Sequence, residues 1–216
     1  MKTRKHKSLF ISIGLLLTFV AWTLLLRYVD VRPVGPRGSA VGFATANAMF
    51  HGITGVHMKL YVVTDWSGLV PICFCMGFAI LGLCQWIKRR NILKVDWNVL
   101  MLGCFYIAVM GVYLLFEEVV INYRPVLIAG CLEASYPSST TLLVMCVMPT
   151  AVMQFNGRIK NRTARKIVTT VLTGFTVFMV AGRLISGVHW LSDIIGGGLL
   201  STGLVMLYHW LCNMKE

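Results

Sequence analysis

The sequence predicts an all-α fold: a bundle of six transmembrane helices with an interfacial outer segment between helices 1 and 2. Three observations carry that prediction. Of 216 residues, 57% are hydrophobic and only 13% are charged, and the mean hydropathy is +0.74. A soluble chain of this length exposes too much of itself to hide so much apolar surface, and its charged share would be about twice as large. The apolar residues also fall in runs long enough to cross a bilayer, separated by basic segments. These features exclude an ordinary soluble enzyme, a disordered chain and a disulfide-stapled secreted module.

A membrane helix takes about 20 mostly apolar residues. The first run, 9–26, follows the basic start Lys2, Arg4, Lys5 and Lys7. It is longer than a signal-peptide core and no small-residue cleavage site follows it closely, so it reads as an uncleaved anchor. The second run, 69–87, ends at Lys88-Arg89-Arg90, and the third is 97–116. The fourth, 138–155, is short and interrupted by Pro149. The fifth and sixth are 167–181 and 194–212. The stretch from Arg27 to Asp65 is too polar to span and too long for a tight turn. Pro33, Gly35, Pro36 and Gly38 break its beginning, and residues 40–63 read as one or two helices lying along the outer surface. No repeat and no second domain is visible, so residues 1–216 read as a single integral membrane domain.

The formal net charge of +12 comes from 20 Lys and Arg against 8 Asp and Glu. Most of these bases lie between apolar runs, where a membrane protein uses them to set orientation, so no nucleic-acid partner is expected. Six spans put both termini on one side. That side carries 14 Lys and Arg and the other carries 6, so the termini are expected in the cytoplasm. The compact loops suggest a bacterial plasma membrane. The seven Cys mostly fall inside apolar runs and read as small buried hydrophobes, with neither a disulfide framework nor a zinc site.

Ionisable residues near membrane helices are costly and usually functional. Glu117, Glu118, Arg124, Glu133, Arg183, His189 and Asp193 are all expected at the outer face. Glu118 and Glu133 read as interfacial anchors. His189 and Asp193 are four apart, which on a helix places them on one face. A carboxylate behind an imidazole fixes its tautomer and leaves the other nitrogen free as nucleophile or base. Arg183, six residues earlier, offers a planar fork suited to a phosphate. Gly196-Gly197-Gly198 allows a close helix neighbour. Pro137-Ser138-Ser139-Thr140 fits a helix start, whose N–H groups and hydroxyls also suit an anion.

In order, these elements resemble the type 2 phosphatidic acid phosphatases, the lipid phosphate phosphatase family. The family pattern is K-x6-R-P, then P-S-G-H, then S-R-x5-H-x3-D. Here the chain has Glu117-x6-Arg124-Pro125, then Pro137-Ser138-Ser139-Thr140, then Gly182-Arg183-x5-His189-x3-Asp193. The resemblance implies that His189 attacks phosphorus and becomes a phosphohistidine, with Asp193 orienting it. Arg124, Arg183, Ser138, Ser139 and backbone N–H groups would hold the phosphoryl oxygens, and Thr140 would occupy the catalytic acid's position. It implies a lipid phosphate substrate and neither metal nor organic cofactor.

Two of the replaced family residues bear on the chemistry. Glu117 stands where the family has lysine, and a charged carboxylate there repels phosphate. Thr140 stands where the family has the histidine that protonates the leaving oxygen, and a hydroxyl is too weak an acid for that task. General acid catalysis contributes about 10²–10⁴ in rate. A leaving group that needs no acid resolves the loss. A diphosphate expels phosphate unassisted, which points to an isoprenoid diphosphate such as the undecaprenyl carrier. His51, His57 or a neutral Glu117 are alternative donors. A member that binds lipid phosphates without turnover is the main rival, and a small transporter is a further one. A transporter would usually carry midplane polar groups and repeated halves, which are not visible here.

Overall fold

The computed structural model describes residues 2–214, with side chains from His6. Lys215, counted above with the basic side, lies outside the described residues, as do the side chains of Lys2, Arg4 and Lys5. Eight α-helices follow in order: α1 (Lys2–Tyr28), α2 (Ala44–Thr54), α3 (Met58–Ser67), α4 (Leu69–Arg89), α5 (Trp97–Glu118), α6 (Ser139–Arg158), α7 (Arg162–Ile185) and α8 (Leu191–Cys212). Among the described residues, six stretches are long and apolar enough to span: α1, α3 with α4, and α5 to α8. The fold class is therefore the one the sequence predicts, and the chain is a multi-pass membrane protein.

The helices are sorted by burial. Half of the apolar window of α6 and 44% of that of α8 are buried, against 17–22% in the other four. α6 and α8 thus form the centre, with α1 laid along α8 and α4, α5 and α7 around α6. Outward apolar side chains such as Phe10, Ile107, Val171 and Val177 suit contact with lipid. The glycine run does what its size allows. A Cβ on Gly196 would collide with the Tyr136 ring, and one on Gly197 would crowd Thr141.

Four expectations need correction. First, α6 runs unbroken through Pro149. The buried Thr150 hydroxyl bonds back to the Cys146 carbonyl at 2.8 Å, beside the missing proline N–H. Second, the surface segment does form two helices, but the second does not end at 63. α3 continues into α4 through Gly68, which keeps helical φ and ψ of −60° and −17°. The combined stretch is 32 residues long, where about 20 suffice to cross, so α3 rises past the bilayer crossing and docks on α7. Third, Cys73, Cys84, Cys104 and Cys131 are exposed rather than buried: the first three lie on α4 and α5, where apolar side chains face lipid as readily as protein, and Cys131 lies in the α5–α6 connection. Fourth, His189 is not on a helix at all. It lies in the turn before α8, whose N-cap is Trp190.

Helix alternation brings the ends of α1, α5 and α7 together with the starts of α6 and α8. The α5–α6 connection crosses this end as a small hairpin. Tyr123 bridges Ala134 and Ile128 bridges Cys131, both antiparallel. Its tip, Ala129 and Gly130, has φ of 50° and 79°. Two left-handed residues match the turn to the twist of the flanking strands.

Candidate active site

Residues of α3, the hairpin, α6, α7 and the start of α8 meet at this end of the bundle. His189 is 3% exposed and Asp193 0%. Asp193 stands in the first turn of α8, where a carboxylate is favoured by the helix dipole. Its Oδ2 accepts the Trp190 N–H at 2.9 Å, and its Oδ1 lies 3.5 Å from the Asn122 amide. His189 Nδ1 is 3.8 Å from Oδ2, beyond hydrogen-bond reach. The direct partner of Nδ1 is the Ser135 carbonyl oxygen, at 3.2 Å. A carbonyl can only accept, so Nδ1 carries the proton and Nε2 holds its lone pair. Burial lowers the His189 pKa from 6.5 to about 4, with Asp193 pulling partly upward and Arg124 and Arg183 pushing down. The imidazole is neutral at pH 7, and its buried Nε2 has no partner in the protein.

The turn that holds His189 depends on Gly187, which has φ of +68° and lies against the Gly55 carbonyl. No other residue type combines that dihedral with that approach. His51 contacts the Gly187 carbonyl at 3.1 Å and packs against Trp190, and His57 contacts the Thr54 carbonyl. Both histidines hold connecting segments, and neither lines the pocket that contains His189.

Arg183 sits in the last turn of α7, a favoured end for a cation. Its Nη2 donates to Thr140 Oγ1 at 2.6 Å and to Asp65 Oδ1 at 3.0 Å. Arg124, carried by the hairpin, forms an ion pair with Glu133 at 3.1 Å that lacks hydrogen-bond alignment. The Tyr61 ring lies 4.8 Å from the Arg183 guanidinium carbon and 5.8 Å from that of Arg124, so one aromatic ring serves both cations. Arg124 Nη1 and Arg183 Nε are buried without partners.

Ser138 is the fully buried N-cap of α6, its Oγ 3.5 Å from the Thr141 N–H. Ser139, one residue on, lines the pocket beside His189, together with Glu117, Tyr113 and Tyr136. Glu118 is exposed at the end of α5. Thr140 and Asp65 line a neighbouring, mostly apolar cavity of about 460 Å³ between α4, α5 and α6, which shares Tyr113, Ser139 and Leu142 with the His189 pocket.

The sequence motifs thus bring Arg124, Thr140, Arg183, His189 and Asp193 to one place. They miss Tyr61 and Asp65, which α3 brings to the arginines: Tyr61 against both, Asp65 against Arg183. They also miss the Ser135 carbonyl and the pairing role of Glu133. The separation of four between Tyr61 and Asp65, one helical turn, is the signal present in the sequence.

One end of the membrane bundle thus gathers two buried arginines, a neutral histidine and a capping aspartate, groups whose chemistry suits an anion. The PAP2 superfamily model matches residues 111–216. That similarity, over the C-terminal part of the chain, supports a member of the PAP2 superfamily. Its fold is similar to the crystal structure of the first transmembrane PAP2 type phosphatidylglycerolphosphate phosphatase from Bacillus subtilis. That match has a TM-score of 0.67 and 16% identity, and covers 93% of this chain and 94% of the other. No curated relative matches the chain in sequence.

Proposed function

We propose that the protein is an integral-membrane lipid phosphatase acting on an isoprenoid diphosphate of the undecaprenyl type, through a phosphohistidine at His189. One observation carries this reading: three buried nitrogens without protein partners, His189 Nε2, Arg124 Nη1 and Arg183 Nε. A lone pair and two cationic donors are the complement of a phosphoryl group, and leaving them unsatisfied in a buried site is costly.

The Nε2 lone pair forms the N–P bond to the terminal phosphorus as the bridging P–O bond breaks. The lipid leaves as a monophosphate, which needs no proton to depart. Arg124, Arg183 and Ser139 hold the equatorial oxygens, where charge stabilisation is the main catalytic task. Water then attacks the phosphohistidine, the P–N bond breaks, and inorganic phosphate and neutral His189 are restored. Asp193 steadies the imidazolium character of the intermediate through the cap it shares with Trp190, and the Ser135 carbonyl keeps the ring oriented. No step draws on a metal or an organic cofactor. The basic residues at the opposite end, from Lys88 to Lys94 and Arg158 to Lys166, support cytoplasmic termini and an outward-facing site in a bacterial plasma membrane.

A second reading, a binder without turnover, is favoured by Thr140, which offers no acid and is engaged by Arg183. Phosphate release by the detergent-solubilised protein decides between them. Undecaprenyl diphosphate and phosphatidic acid are offered in parallel without metal, with His189→Ala as control. Release from the diphosphate, lost in the variant, supports the phosphatase. Release from neither substrate supports the binder.

A further inference from the structure

The unusual feature of the site is that its deepest cation already has an anion. The Arg183 side chain is 2% exposed, whereas that of Asp65 is 54% exposed, and the two are 3.0 Å apart. The carboxylate therefore reaches from the solvent side onto a guanidinium that the protein otherwise buries. It shares Nη2 with Thr140, while Nε of the same guanidinium has no partner. Asp65 belongs to α3, outside the matched family region of 111–216, so no motif assigns it a role.

We propose that Asp65 is an internal competitor for the phosphoryl site. Its carboxylate holds Arg183 until a more strongly bound phosphoryl group displaces it. The inference rests on the reading of Arg183 as a phosphate ligand. A carboxylate and a phosphoryl group present the same paired oxygens to a guanidinium, so one replaces the other without rebuilding the pocket. The exposure of Asp65 lets it swing into water once displaced, whereas buried Arg183 stays in place.

The consequence is selectivity. A bilayer presents this site with a vast excess of phosphodiester headgroups, each with one negative charge per phosphate. Displacing Asp65 costs every anion the same amount. A terminal phosphate with two or more charges overcomes that cost, and a monoanionic diester does not. Asp65 thus sets a charge threshold that keeps ordinary phospholipids out.

The test uses the full-length protein in detergent, with inhibition of phosphate release by orthophosphate and by dimethyl phosphate as probes. Asp65→Asn is expected to lower the orthophosphate inhibition constant about tenfold, the smaller end for a charged hydrogen bond because Asp65 is half exposed. Dimethyl phosphate, inert toward the wild type, is expected to inhibit this variant. Asp65→Glu, which keeps the carboxylate, is expected to retain weak binding. A merely structural Asp65 would give the opposite sign, with weaker orthophosphate binding in Asp65→Asn, and that result or an unchanged constant overturns the proposal. A second measurement on the wild type is independent of how well the variant folds. The chain has four aspartates, so the ¹³Cγ resonance of Asp65 is assigned by its loss in Asp65→Glu. It is expected to shift as orthophosphate saturates the protein, and a stationary resonance at saturation overturns the proposal. If the wild type releases phosphate normally while these tests fail, only this inference falls. If His189→Ala retains full phosphate release, the phosphohistidine reading falls instead.

Discussion

The Nδ1 of His189 donates to the main-chain carbonyl of Ser135 at 3.2 Å, and that bond decides which nitrogen is left for chemistry. The Ser135 carbonyl is placed by the hairpin: Ser135 N–H donates to the Asn122 carbonyl at 2.9 Å. The loop that carries Arg124 therefore also orients the nucleophile.

A neutral His189 follows from its burial. Its pKa near 4 means that the Nδ1–H tautomer persists at pH 6, where ordinary imidazoles are largely protonated. ¹⁵N spectra of histidine-labelled protein, with His189→Gln for assignment, are expected to show one ring still neutral at that pH. A midpoint near 6.5 for this ring would refute the assignment. The sign for stability follows. The folded pKa is below the unfolded one, so the unfolded chain binds the extra proton between about 6.5 and 4. This group's contribution to stability is full above that window and is lost as pH falls through it.

Arg183→Lys removes the fork while keeping the charge. One ammonium cannot span Thr140, Asp65 and a phosphoryl oxygen together. A loss of about 10²–10³ in kcat/KM is expected, in the range seen when one charge-stabilising donor is removed. Steady-state phosphate release measures it, and an unchanged kcat/KM would take Arg183 out of the site.

Thr140→His tests the leaving-group argument. An imidazole at the start of α6 would restore an acid beside Arg183. Monoester turnover is expected to rise by about 10²-fold or more relative to diphosphate turnover, the contribution of a positioned acid. Paired assays with phosphatidic acid and undecaprenyl diphosphate report the ratio. An unaltered ratio in a variant that folds would count against the diphosphate preference.

Gly196→Ala would drive a methyl group into the Tyr136 ring, which is 1% exposed and bonded to Thr23 at 2.6 Å. Overpacking of this kind costs about 1–3 kcal/mol. Thermal unfolding in detergent is expected to show a lowered midpoint, and Gly198→Ala, where the nearest atom is a Met145 sulfur at 3.9 Å, a much smaller change. Equal midpoints for the two variants would contradict the packing seen here.

The sequence by itself determined the number of spans, their approximate limits and the meeting of the motif residues at one end. Those features rest on local hydrophobicity and on counting helices, and both survive any detail of packing. It misjudged the geometry of His189 and Asp193. A separation of four suggests one helical face, but the same spacing places a residue just before an N-cap and a carboxylate in the first turn, and sequence spacing does not distinguish the two. It also truncated the second span, because Lys59, Asp65 and Gly68 lower the local hydropathy although the backbone stays helical through Gly68. Only the tertiary structure decided that Tyr61 packs against both arginines, that Asp65 binds Arg183, and that a main-chain carbonyl sets the histidine tautomer. Those relations join residues far apart in sequence, such as Asp65 and Arg183, 118 positions apart. They depend on how α3 docks on α7 and how the hairpin folds over α8, which no local pattern encodes.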